Sequence, residues 1–164
     1  MPNKWPLVSK LHFSAKMPNL YVFIHPECSC SIATLSELDK LKTRVLNQVH
    51  LHVVILKYKT EMNSNLQVQE AQRVVGKDNV FFDEAHLEAK LFGAETSGQT
   101  YLFDEAGNLI FNGGITISRA HEGDNLGSQS IDYWIKNRVS ILKKSEVFGC
   151  SLTETESQSF INFN

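Results

Sequence analysis

Tyr21-Val22-Phe23-Ile24-His25-Pro26-Glu27-Cys28-Ser29-Cys30-Ser31 is the stretch whose reading decides the fold. Its first four residues are apolar and β-prone, as a buried strand requires. Pro26 ends the extended run, because it has no N–H to give a ladder. Ile32, Leu35, Leu38, Leu41 and Val45 then recur at spacings of three and four, the stripe of an amphipathic helix expected over about 29–46. Ser29 and Ser31 are good capping types, and Glu37 and Asp39 are expected early in the helix, where its dipole favours acids. Two thiols, one residue apart, thus fall where a central strand ends and a helix begins. Unpaired backbone N–H groups and the positive helix end there favour thiolate over thiol, which makes this a site for sulfur chemistry.

The rest of the chain supplies matching elements. Leu20 to Ile24 and His50 to Tyr58 read as strands, with Val53-Val54-Ile55-Leu56 buried, and Leu66 to Val75 as a helix closed by Gly76. Val80 to Phe82 is a short strand, and Ala85 to Leu91 a helical segment closed by Phe92-Gly93. Thr100 to Phe103 and Leu109 to Phe111 flank the turn at 104–108 as an antiparallel hairpin, which Gly113-Gly114 ends. A polar loop spans 116–127, and Ile131, Trp134, Ile135, Val139 and Leu142 mark a last helix with Ser128 near its start. Residues 1–18 form a proline-punctuated lead-in with an edge strand expected at Val8 to Phe13. From Ser151 the chain is polar, with Phe160, Ile161 and Phe163 available to dock.

Strands separated by helices pair in parallel, whereas a hairpin pairs antiparallel. The order β-α-β-α-(β-α)-β-β-α therefore predicts a mixed central sheet with helices on both faces, an α/β fold. In such sheets chemistry gathers at the carboxyl ends of the central strands, where Cys28 and Cys30 lie. A length of 164 residues with no long linker predicts one domain, with its core over about 5–145 and a tail from 151 to 164. A net charge of -2 with dispersed signs gives no basic surface for nucleic acid or anionic membrane. No apolar run approaches the roughly 20 residues of a membrane span. The first residues, Met1-Pro2-Asn3-Lys4-Trp5, show no basic-then-apolar signal peptide.

Sequence order and thiol placement together resemble the thioredoxin-like superfamily and, more narrowly, the bacterial RedB-type redoxins. The segments that carry the likeness are His25 to Ser31, Phe92-Gly93-Ala94-Glu95-Thr96-Ser97-Gly98, Gly113-Gly114-Ile115-Thr116, Arg119-Ala120-His121-Glu122-Gly123-Asp124-Asn125 and Val147-Phe148-Gly149-Cys150. The resemblance implies a thioredoxin-like domain, an extracytoplasmic location in the bacterial envelope, and a protein thiol or disulfide as partner. It also implies a site face that includes His25, Pro26, Thr96, Ser97, Gly98, Arg119 and His121, although His25 reads equally as an exposed strand-end residue, and Arg119 and His121 read first as part of a plain solvated loop. Two positions depart from the superfamily's pattern. Ser31 stands where Cys-x-x-Cys has its resolving thiol, and Gly98 stands where a cis-proline usually faces the site. A trans bond and a more mobile docking edge are expected at Gly98.

Three chemistries fit these residues. As a thiol-disulfide oxidoreductase, Cys28 attacks as thiolate and Cys30 or Cys150 resolves. A Cys28–Cys30 ring is small and strained, hence easily reduced, which suits an oxidant or isomerase. As a copper or zinc carrier, Cys28 and Cys30 bind together with His25 or His121, since thiolate and imidazole suit both metals. A thiol peroxidase is the third reading, weakened by His25 standing where a companion threonine belongs. Against all three stands the possibility that these cysteines are small core residues, with Cys150 a lone buried thiol. His12, His50, His52 and His86 show no ligand spacing and read as structural or surface residues. The chemical readings require thiols within reach of an incoming molecule.

Overall fold

The computed structural model describes residues 2–153. Five strands run β1 (Asn19–Ile24), β2 (His50–Lys57), β3 (Val80–Glu84), β4 (Gln99–Phe103) and β5 (Leu109–Gly113). The helices are α1 (Cys30–Val45), α2 (Leu66–Val75), α3 (Leu87–Phe92) and α4 (Leu126–Asn137), with a short 3-10 turn at Lys77–Asn79. Spatial order in the sheet is β3-β2-β1-β4-β5. β1 pairs parallel with β2, and β2 parallel with β3, while β4 is antiparallel to both β1 and β5. This is the mixed sheet anticipated from the element order, with β1 at its centre.

Alternation along the strands divides the core in two. Leu20, Val22 and Ile24 of β1 face one side with Val53, Ile55, Leu102 and Phe111, covered by Leu35, Leu38 and Leu41 of α1, Val68 and Val74 of α2, and Ile131 and Trp134 of α4. Tyr21, Phe23, Val54, Tyr101 and Phe103 face the other, under Phe92 of α3, with Trp5 and Leu152 packed in. The period-two pattern of one strand thus sorts its side chains between two layers. Trp5 meets Phe13, Tyr21, Phe92 and Phe103 at ring-centre separations of 5.1–5.3 Å.

Several expectations need correction. The lead-in contains no strand at 8–13. Ser9 Oγ and the Lys10 N–H instead donate to the buried Glu88 carboxylate at 2.6 and 2.9 Å, so this backbone finds a partner outside the ladder. α1 begins at Cys30 without a side-chain cap from Ser29, and its first turn holds no acid. Glu37 lies further along, buried, where it accepts the Gly123 N–H at 2.7 Å and pairs with Lys40. α4 starts earlier than its apolar stripe, because Asn125 caps it by accepting from the Ser128 N–H at 2.8 Å. It also ends earlier, at Asn137, as Arg138 turns left-handed and leaves Val139 exposed. β5 continues through Gly113, and the chain after α4 then returns past it, with the Asn112 N–H donating to Lys143 O at 3.0 Å. That return carries residues 146–152 to the end of the sheet where the cysteines sit.

Candidate active site

β1 ends at Ile24, and a turn over His25–Cys28 delivers the chain into α1. The Cys28 N–H donates to His25 O at 3.2 Å, and the Ser31 N–H to Cys28 O at 3.0 Å. Residues at the start of α2 hold the same turn. Asn65 Nδ2 donates to Pro26 O at 2.9 Å and Gln67 Nε2 to Cys28 O at 3.3 Å. Ser31 does not resolve anything: its hydroxyl donates to His25 O and meets Ser97 Oγ, each at 3.0 Å. Ser97 Oγ also accepts the His25 N–H at 2.9 Å, so one buried hydroxyl pair locks the 97–98 loop to the strand end.

Residues 149–152 form a strap over this site. The Ser97 N–H donates to Cys150 O, and the Leu152 N–H to Glu95 O, both at 2.8 Å, with Thr96 and Ser151 bridged antiparallel between them. Leu152, the one apolar residue in the polar run 151–159, anchors the strap in the second core and is 2% exposed. The strap lies so close that a Cβ on Gly149 would stand 2.0 Å from Ser97 O. Gly98, at φ +99° in a backbone whose described peptide bonds are all trans, donates its N–H to Phe23 O at 2.7 Å. The edge expected to be loose is therefore hydrogen-bonded to β1 on one side and to the chain's own carboxyl-terminal segment on the other. The sequence predicts a polar tail from Ser151, but Ser151 and Leu152 belong to this strap. Phe160, Ile161 and Phe163 lie outside the described residues.

The strap brings three sulfurs together. Sγ of Cys28, Cys30 and Cys150 all lie within 4.8 Å of one another. The Cys150 N–H donates to Cys28 Sγ at 3.3 Å, and Arg119 Nη2 donates to Cys150 Sγ at 3.4 Å. Arg119 reaches the site because its loop is tied to α1 through Glu122, which meets Lys40 at 3.0 Å, and through Gly123 on Glu37. Cys28 and Cys30 are 1% and 2% exposed, so the reachable nucleophile expected from sequence is covered. Part of that cover is polar and comes from the strap, in the form of the Cys150 backbone and thiol.

These contacts set the two thiols apart. Burial alone raises the pKa of Cys28, but hydrogen bonds from the Cys150 thiol and N–H, and from Cys30, outweigh it and hold the group below its ordinary value. Cys150 is pushed up to about 11 by burial, by its bond to Cys28 and by the negative sulfurs around it, with Arg119 acting in the opposite sense. The Glu27 carboxylate accepts from Tyr58 Oη at 2.6 Å.

Not every anticipated site residue joins the cluster. His25 accepts the Glu27 N–H on Nδ1 at 3.0 Å and stacks near Tyr58, 6.3 Å between ring centres. Burial lowers its pKa, with Glu27 opposing and His86 adding to the shift. His121 is exposed, its N–H donating to Ser118 O at 3.3 Å. Neither imidazole is grouped with the sulfurs, so the metal set Cys28, Cys30, His25 and His121 is not assembled; Cys150 stands where a histidine was expected. Pro26 is buried in the turn. The roles of Asn65, Gln67 and Leu152 escaped the sequence reading, since nothing local in a polar helix start or a tail marks a long-range contact.

No protein-family profile and no curated protein sequence matches the chain. Among solved structures, an uncharacterized conserved protein from Geobacillus kaustophilus superposes with a TM-score of 0.66 at 21% identity, covering 86% of this chain and 79% of the other. A secreted Mycobacterium tuberculosis disulfide oxidoreductase homologous to E. coli DsbE gives 0.51 at 9% identity over 76% and 83% of the two chains. A putative thiol:disulfide interchange protein DsbE from Chlorobium tepidum gives 0.51 at 14% identity over 74% and 79%. The fold is thioredoxin-like. Among the described residues, no helix is long and apolar enough to cross a membrane.

Proposed function

We propose that the protein is a thiol-disulfide oxidoreductase in which Cys28 is the attacking thiol and Cys150 the resolving one. The observation that carries this reading is the Cys150 N–H and thiol held against Cys28 Sγ at the amino end of α1. Cys28 thiolate attacks a partner disulfide; one partner sulfur leaves as thiolate and a mixed disulfide forms. Cys150 then gives its proton to solvent and attacks the Cys28 sulfur; the Cys28–partner bond breaks, the second partner sulfur leaves as thiolate and takes up a proton, and a Cys28–Cys150 bridge remains. A small or protein dithiol reduces that bridge to complete the cycle. Cys150 is preferred to Cys30 because it arrives on a separate segment, whereas a bridge between residues two apart would have to distort the first turn of α1.

Because Cys28 is buried while the strap is docked, the partner enters as the strap lifts from Thr96 and Ser97. A protein disulfide is the substrate class this entry admits, in keeping with the names of the two DsbE-like structures. The finer likeness to RedB-type redoxins rests on the sequence segments alone. The test is exchange with a disulfide-bearing peptide. Wild type turns over, Cys28→Ser is inert, and Cys150→Ser accumulates a covalent adduct at Cys28. A Cys150→Ser variant that turns over like wild type would overturn the assignment.

A further inference from the structure

The three sulfurs do more than the exchange reaction needs, since Cys28 and Cys150 suffice for it and Cys30 is left over. We propose that the reduced protein binds one copper(I) ion through Cys28, Cys30 and Cys150. Two of the ligands come from the turn into α1 and the third from the strap, so the site exists only when the strap is docked.

Three sulfurs around one ion at about 2.3 Å, in a trigonal plane, stand about 4.0 Å apart. The present separations, all within 4.8 Å, require a contraction of less than about 1 Å, within the reach of side-chain rotation. Soft thiolates select soft ions. Among the described residues this is the one group of three or more potential ligands, and it contains no imidazole or carboxylate. A closed structural zinc site takes four protein ligands and a three-ligand zinc site needs an open position for water; three sulfurs, two buried and the third half-buried, favour copper(I), which is content with three. Three thiolates and one monovalent ion carry two excess negative charges, and Arg119 at 3.4 Å from Cys150 Sγ offsets part of them.

Binding involves no change of oxidation state: the copper stays monovalent, and the thiol protons pass to solvent. It does not depend on the exchange reaction, only on the three thiols being reduced. The two uses exclude each other, because a Cys28–Cys150 bridge removes two of the three ligands.

The experiment is anaerobic titration of the reduced full chain with copper(I) against a chromogenic copper(I) chelator, followed by thiolate-to-copper ultraviolet absorption. The expected result is one ion per chain. Cys30→Ser and Cys150→Ser should each weaken binding by more than the roughly 10- to 100-fold that loss of an outer-sphere partner costs. The disulfide form should bind none. Circular dichroism of each variant confirms that it is folded. Copper affinity unchanged in Cys150→Ser would overturn the three-sulfur site, and failure of the folded, reduced wild type to compete with the chelator would overturn copper binding. Preference for zinc in the same competition would overturn the choice of metal. None of these outcomes bears on disulfide exchange, which the peptide assay measures separately.

Discussion

Replacing Gly149 with alanine should loosen the strap and partly unseat its anchor Leu152. The added Cβ would stand 2.0 Å from Ser97 O and 3.0 Å from Ser97 C, both backbone atoms of a loop pinned by Ser31 and His25. Ordinary carbon–oxygen contacts start at about 3.3 Å, so the strap must retreat by more than about 1 Å. A 2.8 Å bond from the Ser97 N–H to Cys150 O does not survive that movement, and its neighbour from Leu152 to Glu95 weakens with it. Two hydrogen bonds at about 1 kcal/mol each, plus part of the burial of Leu152, amount to roughly 2–3 kcal/mol. A disulfide between Cys28 and Cys150 holds the strap down, whereas the reduced chain can let it go. The penalty therefore falls on the oxidised form, and the bridge should be disfavoured by up to roughly 30- to 150-fold. The assay is equilibration in glutathione buffers, quenched by alkylation and read by mass, on protein shown by circular dichroism to be folded. A Gly149→Ala chain whose Cys28–Cys150 equilibrium matches wild type would refute this account of the strap.

Three further outcomes follow from the same contacts. Ultraviolet titration of the reduced protein should find the Cys28 thiolate forming below the ordinary thiol value and the Cys150 thiolate only near the value of about 11 that its surroundings impose; coincident titration of Cys28 and Cys150 would contradict this. Ser97→Ala leaves the His25 N–H without its acceptor, and urea unfolding should show a loss of about 1–3 kcal/mol, while an unchanged midpoint would mean the hydroxyl pair is dispensable. His52, stacked on Tyr21 at 4.6 Å, is pushed down to about 4 by burial and by its neighbours His50 and His12. The unfolded chain takes up that proton near pH 6.5, so stability is full above it and falls as the pH drops toward 4, by roughly 3 kcal/mol in all. A His52→Phe chain with an equally steep acid limb would remove His52 from the explanation.

Much of the architecture is legible in residue order. The apolar strands, the α1 stripe and the hairpin around 104–108 are local patterns, and the parallel and antiparallel pairings follow from what joins them. The position of Cys28 and Cys30 at the strand–helix junction was legible for the same reason. The strap was not. Cys150 reaches the site through backbone hydrogen bonds to Ser97 and Glu95, and backbone groups leave no mark on composition or periodicity. His25 and His121 are candidate ligands in sequence because imidazole is a good ligand type; their placement depends on Glu27, Tyr58 and Ser118, and His121 lies exposed, as a solvated loop residue would. His12, His50 and His52, which show no ligand spacing, nonetheless gather at 6.2–6.4 Å between ring centres. The edge strand expected at 8–13 failed because the buried carboxylate of Glu88 offered that backbone a better partner.

The most direct test is to map which cysteines pair when the purified, reduced chain is oxidised in a defined glutathione buffer, by peptide mass analysis without further reduction. A bridge between Cys28 and Cys150, with Cys30 free to alkylate, is the predicted result. A Cys28–Cys30 bridge with Cys150 free, or three free thiols, would contradict it.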